Sequence, residues 1–224
     1  MQVLPNELRS TLDVPESPAV TAPPLGRVLS VVGPDGVGKT TLIDRLMLGR
    51  FADVPVSHMR WPSVLPRRSR GQGPVTEPHK HPPYSRPVSL VKTTYVFLDY
   101  CVGWLFRVRP HVRRGGWVVI QRGWWDMAVD PLRYRLDMPS TWLMRLGRFL
   151  PVPDLILVLE APTSTIRERK EELSAEELDR QARAWRELLP ERLERVYLDA
   201  RRSPEEVARQ AEVEIARIVG SAHG

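Results

Sequence analysis

The chain of 224 residues holds a single asparagine, Asn6, and a single cysteine, Cys101. Without a second asparagine it cannot carry the N-K-x-D guanine-reading motif of a GTPase switch. One cysteine excludes internal disulfides and fits a reducing, cytoplasmic setting. Lysine is scarce as well: only Lys39, Lys80, Lys92 and Lys170 contribute to 33 basic residues, so the net charge of +6 is carried by arginine. Acidic residues are interspersed through most basic stretches and no basic run has interleaved aromatics, so no nucleic-acid groove is expected. No apolar run approaches the ~18 residues that span a bilayer, and Tyr95 to Phe106 is interrupted by Asp99. The first twenty residues lack the basic-then-apolar order of a secretory signal. His58, His79 and His81 have no partners at metal-ligand spacing, so no zinc is expected.

Against those absences one stretch stands out, RVLSVVGPDGVGKTTLIDRLML from Arg27 to Leu48. Arg27 to Val32 is a short β-branched run bounded by Gly26 and Gly33, the pattern of a buried strand. From Lys39 onward Leu42, Ile43, Leu46 and Met47 recur at helical spacing. Between them Gly33, Gly38, Lys39 and Thr40 fill the fixed positions of G-x-x-x-x-G-K-[ST], the P-loop pattern. Residues without side chains at Gly33, Gly36 and Gly38 let backbone N–H groups face phosphate oxygens, and the following helix adds its positive end. The turn from Gly33 through Val37 to Thr41 is therefore expected to bind ATP, with Lys39 on the β- and γ-phosphates and the Thr40 hydroxyl on Mg²⁺.

The rest of the chain reads in order. Residues 1–26 are a proline-rich flexible tail, and 27–224 one domain. Pro55 to Trp61 is a candidate strand, and 61–87 a long basic, proline-rich loop that suits either a flap over an anionic substrate or a solvated linker. Val88 to Arg109 reads as a long, mostly buried helix, Trp117 to Ile120 as a strand and Thr141 to Leu150 as an amphipathic helix. Asp154 to Leu159 is a clean strand, 164–189 a charged helical region, and Arg195 to Leu198 a last strand. Ser203 then caps a closing helix with Pro204 at its first position. Strands alternating with helices imply an α/β fold with a parallel sheet covered on both faces.

On five stretches the chain resembles the thymidylate kinase family of P-loop nucleotide kinases: GPDGVGKTT at 33–41, WVVIQRGWWDMAVDP at 117–131, PDLILVLEAP at 153–162, ERKEELSAEELDRQARAW at 168–185, and VYLDARRSPEEV at 196–207. The resemblance implies a three-layer P-loop NTPase fold, with a five-stranded parallel sheet, helices on both faces and a helical lid. It implies ATP·Mg²⁺ as phosphoryl donor, and a homodimer is open to it. Asp35 matches a P-loop carboxylate near the acceptor, and Arg122 the arginine of the family's Asp-Arg motif. Arg167, Arg169 and Lys170 resemble the lid's cations, and the adenine is expected beside Ala200 and Arg201. Two departures stand out. Gln121 replaces the aspartate expected before Arg122, and Asp99-Tyr100 replaces an arginine that clamps the acceptor's phosphate. Asp99, Asp126 and Asp130 then suit an acceptor with hydroxyls, with Asp126 as general base. The segment DMAVDPLRYR is similar to thymidylate kinase-like proteins associated with polysaccharide biosynthesis. The acceptor is thus expected to be a nucleoside monophosphate or a sugar or polyol, with Trp61, Trp124 and Trp125 available to stack on a ring or to fill the core. The alternative is an ATP-binding module without turnover, motivated by Gln121.

Overall fold

The computed structural model describes residues 26–64, 82–169 and 174–220. The expected tail over 1–26 apart from Gly26, most of the 61–87 loop, Lys170 and the Arg169 side chain lie outside the described residues, as do His79 and His81.

Five parallel strands form one sheet in the order β2-β3-β1-β4-β5. They are β1 (Val28–Val32), β2 (Val56–Met59), β3 (Trp117–Ile120), β4 (Leu155–Glu160) and β5 (Arg195–Asp199). β1 lies at the centre, with Ser30 opposite Ile120 on one side and Ile156 on the other. Every residue of β1 and β3 is buried, as expected where helices cover both faces of a parallel sheet. Leu29, Val31, Val119 and Leu157 pack on one face against Leu42, Ile43 and Leu46 of α1 (Lys39–Leu48) and Ala211 and Ile215 of α8 (Pro204–Gly220). Val32, Ile156 and Val158 pack on the other. Their partners are Tyr100 of α2 (Arg86–Gly103), Trp124 and Trp125 of α4 (Trp124–Val129), Leu143 of α5 (Ser140–Gly147) and Trp185 of α7 (Ala175–Glu187). Each such fully buried aliphatic side chain contributes about 1.5–3 kcal/mol against leaving it in water.

The strands fall where the sequence places them. The charged region at 164–189 divides into α6 (Thr163–Arg169) and α7, and α4, which no sequence signal announced, follows Gly123 directly. At α8 the expected cap is a reciprocal pair: the Ser203 hydroxyl accepts from the Glu206 N–H at 3.3 Å while the Glu206 carboxylate accepts from the Ser203 N–H at 3.0 Å.

The expectation of a mostly buried helix at Val88 to Arg109 needs correction. α2 buries only one face, at Ser89, Thr93, Val96, Asp99, Tyr100 and Gly103, and its apolar outer residues are exposed. Apolar residues occupy both faces, so periodicity could not separate inside from outside. The helix runs on through a π turn at Trp104–Val108 into α3 (Arg109–Arg113), and the π turn swings Val108 into full burial. At Gly103 a Cβ would lie 1.5 Å from the Pro62 carbonyl oxygen, so only glycine lets the 62–63 segment cross this helix. No helix among the described residues is long and apolar enough to cross a membrane.

Candidate functional site

The carboxyl edge of the sheet gathers the chemistry, where ligands of open α/β sheets bind. The turn from Gly33 to Gly38 leaves β1 with positive φ at Gly33 (137°), Gly36 (84°) and Gly38 (108°), conformations open to glycine and strained for other residues. Nothing stands within 4 Å of where a Gly38 Cβ would be. α1 starts there without a side-chain cap, so its first-turn N–H groups have no intrahelical acceptor. Val37 is different in kind: it is buried in the core beneath the turn.

Lys39 is buried, and its Nζ donates to the carbonyl oxygens of Gly33 and Pro34 at 2.7 Å each, bridging the mouth of the turn. It also lies 3.4 Å from Asp35 Oδ1. Burial lowers the Lys39 ammonium from its ordinary pKa, while Asp35 and Asp126 work to keep it charged.

Asp35 is the hub. Besides Lys39 its carboxylate accepts from Arg122 Nη2 at 2.7 Å and from Arg133 Nη1. Burial alone would push the Asp35 carboxyl up, but Lys39, Arg122 and Arg133 outweigh it and hold it well below the usual carboxylate range. Arg122 also donates to Asp126 Oδ2 at 3.3 Å, and the same oxygen accepts from the Tyr134 hydroxyl at 3.2 Å. Burial, then Asp126, raises the Tyr134 phenol far above its ordinary value, so it stays a donor. For Arg122, burial is outweighed by Asp126 and Asp35, which raise its pKa further. Asp130 joins from the end of α4: it accepts from Gln181 Nε2 at 3.1 Å and from the Arg133 N–H at 3.1 Å. The free space among Asp35, Arg122, Asp126 and Arg133 is only about 10 Å³, barely a water's worth.

Gln121, at the end of β3, donates from Nε2 to Thr40 Oγ1 at 2.8 Å. The amide contributes no negative charge beside the Thr40 hydroxyl. Among the described residues no cluster of three or more His, Cys, Asp or Glu side chains is placed to hold a metal ion.

Beyond the turn a cleft of about 350 Å³ runs between Gly36, Gly38, Thr41, Leu159, Ala200 and Arg202, within the usual size of small-molecule sites. A second, of about 480 Å³, lies beside it, lined by Thr163, Asp179, Arg186 and Arg201.

The structure therefore brings together Gly33, Asp35, Lys39, Thr40, Arg122, Asp126 and Asp130, and leaves other expected residues apart. Asp99 is buried under the 62–64 segment, where Oδ1 accepts from the Val64 N–H at 3.3 Å and Oδ2 has no hydrogen-bond partner among the described residues. Trp61 is buried edge-on against Tyr100, with ring centroids 5.6 Å apart, and Trp124 and Trp125 are buried beneath α5. All three tryptophans fill the core rather than offering a stacking surface. Arg167 is exposed on α6, and Arg201 folds onto Asp199 at 2.7 Å beside the second cleft. The sequence reading missed Arg133, Tyr134, Gln181 and Arg202. The only signal for the first two was Asp130-Pro131, a turn-starting pair, after which the chain takes a 3-10 turn at Leu132–Tyr134 and a positive φ at Arg135. No protein-family model matches the chain, and comparison with curated proteins finds no match either.

Proposed function

We propose that this chain is an ATP-dependent small-molecule kinase of the thymidylate kinase-like P-loop fold, with α6 and α7 as its lid. It transfers the γ-phosphoryl group of ATP to a nucleoside monophosphate or to a sugar or polyol hydroxyl. The observation that carries this reading is the glycine turn at Gly33–Gly38, with three positive-φ glycines at the carboxyl end of the central strand, an uncapped helix behind it, and a cleft of about 350 Å³ leading away.

The donor set suits ATP·Mg²⁺. The open face at Gly38 and the free first-turn N–H groups of α1 suit phosphate oxygens. The exposed Thr40 hydroxyl suits a magnesium ion that keeps phosphate and water as its other ligands. Bound ATP·Mg²⁺ supplies the phosphoryl group and neutralises part of its charge. Lys39 leaves the Gly33 and Pro34 carbonyls for the β- and γ-phosphates, exchanging neutral acceptors for anionic ones. Gln121 orients the Thr40 hydroxyl. Arg122 and Arg133 release Asp35 and turn to the acceptor side, which opens the closed space among them. Asp126, whose two hydrogen bonds both fall on Oδ2, takes the proton of an acceptor hydroxyl through Oδ1. The hydroxyl oxygen then forms the new bond to the γ-phosphorus, the bond to the β–γ bridging oxygen breaks, and ADP leaves with that electron pair. Arg167 closes from the lid over the transferring group, and the adenine lies by Ala200 and Arg201 or Arg202.

ADP release measured across a panel of nucleoside monophosphates and sugars is expected to depend on one acceptor class and to vanish in Lys39→Ala. No stimulation by any acceptor sinks the enzyme reading. The uncharged Gln121 against Thr40 favours the second reading, an ATP-binding module without turnover. That reading requires ATP·Mg²⁺ binding by calorimetry without product, unchanged by Gln121→Asp.

A further inference from the structure

The Lys39 ammonium is held by three acceptors at once: the Gly33 and Pro34 carbonyl oxygens at 2.7 Å each and Asp35 Oδ1 at 3.4 Å. Such a cradle matches the three N–H bonds of an ammonium group, whereas a hydroxyl has one proton to give. When Lys39 turns to the β- and γ-phosphates, each of these acceptors loses a charge-assisted hydrogen bond in a buried place. Pro34 then keeps only a long bond from the Val37 N–H, at 3.4 Å.

Charge balance points the same way. The small space beside the cradle is walled by Asp35, Asp126 and Asp130 against Arg122 and Arg133. Three carboxylates thus face two guanidiniums, and Lys39 makes up the difference only while the cradle holds it. Arg180 of α7 does not make it up, because it is tied to Glu177 at 2.6 Å. Once a triphosphate claims Lys39, the wall carries one negative charge in excess. A phosphate monoester, itself close to doubly charged, brings that excess to about three. A neutral sugar leaves it at one, and a monocation cancels it. An uncompensated buried charge is costly, which favours the monocation. Asp126 Oδ1 meanwhile accepts no hydrogen bond among the described residues.

We propose that the acceptor is a hydroxylated amine of the amino-sugar class, whose ammonium takes the cradle that Lys39 vacates while its hydroxyl faces Asp126 Oδ1. This names the acceptor of the kinase proposed above and rests on that reading. The hydroxyl proton passes to Asp126 and its oxygen bonds to the γ-phosphorus. The bond from that phosphorus to the bridging oxygen breaks, its electron pair leaving on ADP. The ammonium keeps its protons, so the product is the phosphate ester of an amino sugar. Lys39 and the acceptor use one cradle in turn, and the amine therefore binds after the nucleotide.

Two measurements on the full chain test it. ADP release with Mg²⁺ and ATP is compared for glucosamine, N-acetylglucosamine, glucose and thymidine monophosphate. Glucosamine is expected to have the highest kcat/KM, by about tenfold or more over its N-acetyl derivative, the loss expected when a charge-assisted hydrogen bond goes. Calorimetry then follows glucosamine binding without turnover. The wild type is expected to bind it only with the β,γ-imido analogue of ATP and Mg²⁺ present, whereas Lys39→Ala, whose cradle is vacant, binds it without nucleotide. Should that variant fail to fold by circular dichroism, the wild-type comparison of glucosamine with its N-acetyl derivative decides alone. Turnover of glucose or thymidine monophosphate that equals or exceeds that of glucosamine overturns the inference and leaves the kinase reading standing. A folded Lys39→Ala that ignores glucosamine does the same. No turnover with any acceptor sinks both.

Discussion

Replacing Asp35 by asparagine removes one charge from the centre of the site and almost no volume. The carboxylate is 9% exposed and faces Lys39, Arg122 and Arg133. At 2.7 Å from Arg122 and an effective dielectric constant near 20, that one pair attracts by about 6 kcal/mol before desolvation is subtracted. Asp126 still faces Arg122 in the variant, so the cations are not left wholly unopposed. The expected loss is therefore at the lower end of the range for breaking a buried pair, about 3 kcal/mol, or about 6–12 °C in melting temperature for a chain of this size. The pH dependence carries a sign. The Asp35 carboxyl is depressed in the folded state, so its contribution is complete above its ordinary value of 3.8 and fades as the pH falls below it. Urea unfolding of wild type and Asp35→Asn should thus differ by a constant amount from about pH 8 to 5 and converge toward acid. A difference under about 1 kcal/mol at neutral pH, or a gap that fails to narrow in acid, refutes the view that Asp35 neutralises this cation cluster.

Two further substitutions test the frame around the site. Gly103→Ala adds a Cβ 1.5 Å from the Pro62 oxygen and is expected to destabilise by about 1–3 kcal/mol as overpacking does, although glycine to alanine inside a free helix gains about 1 kcal/mol; a stabilised variant in thermal unfolding would show that the crossing is loose. Ser203→Ala should cost about 1 kcal/mol through the lost cap, and combining it with Glu206→Ala should cost little more, because both changes break the same reciprocal pair. Additive losses would mean the two side chains act apart.

How much of this could be read in advance divides by range. The turn at Gly33–Gly38 and the helix behind it are local: glycines where the backbone needs positive φ, β-branched residues before, helical spacing after. β4 was legible for the same reason, as an apolar run between Pro153 and Pro162 that burial on both faces requires. α2 was legible as a helix but not as a surface, because a helix apolar on every side gives periodicity nothing to contrast. The sequence pattern marks a residue as apolar, and only the packing decides whether it meets the sheet, as Tyr100 does, or stays exposed among the described residues, as Val91 does.

The cation cluster was least legible, and the reason lies in the composition. Where nearly every basic residue is arginine, an arginine carries no local mark of its role. Arg122 was singled out by its position after a strand, whereas Arg133 was passed over in a turn that also holds Arg135. What separates the two is which carboxylate they meet. Arg133 reaches Asp35 across 98 positions of sequence and Arg122 across 87, whereas Arg135 points away to the Pro82 carbonyl and stacks on Tyr84. A functional arginine in such a chain is defined by its long-range partner, and that partner is a product of topology: the crossover from β1 past β3 lays the 33–38 turn beside α4 and the turn after it. The same argument applies to Gln121. Its amide lacks the charge of an acid, yet its place at the end of β3 delivers it to the Thr40 hydroxyl all the same. The fold thus fixes where the site's side chains meet, and the residue types then decide what charge they bring to it.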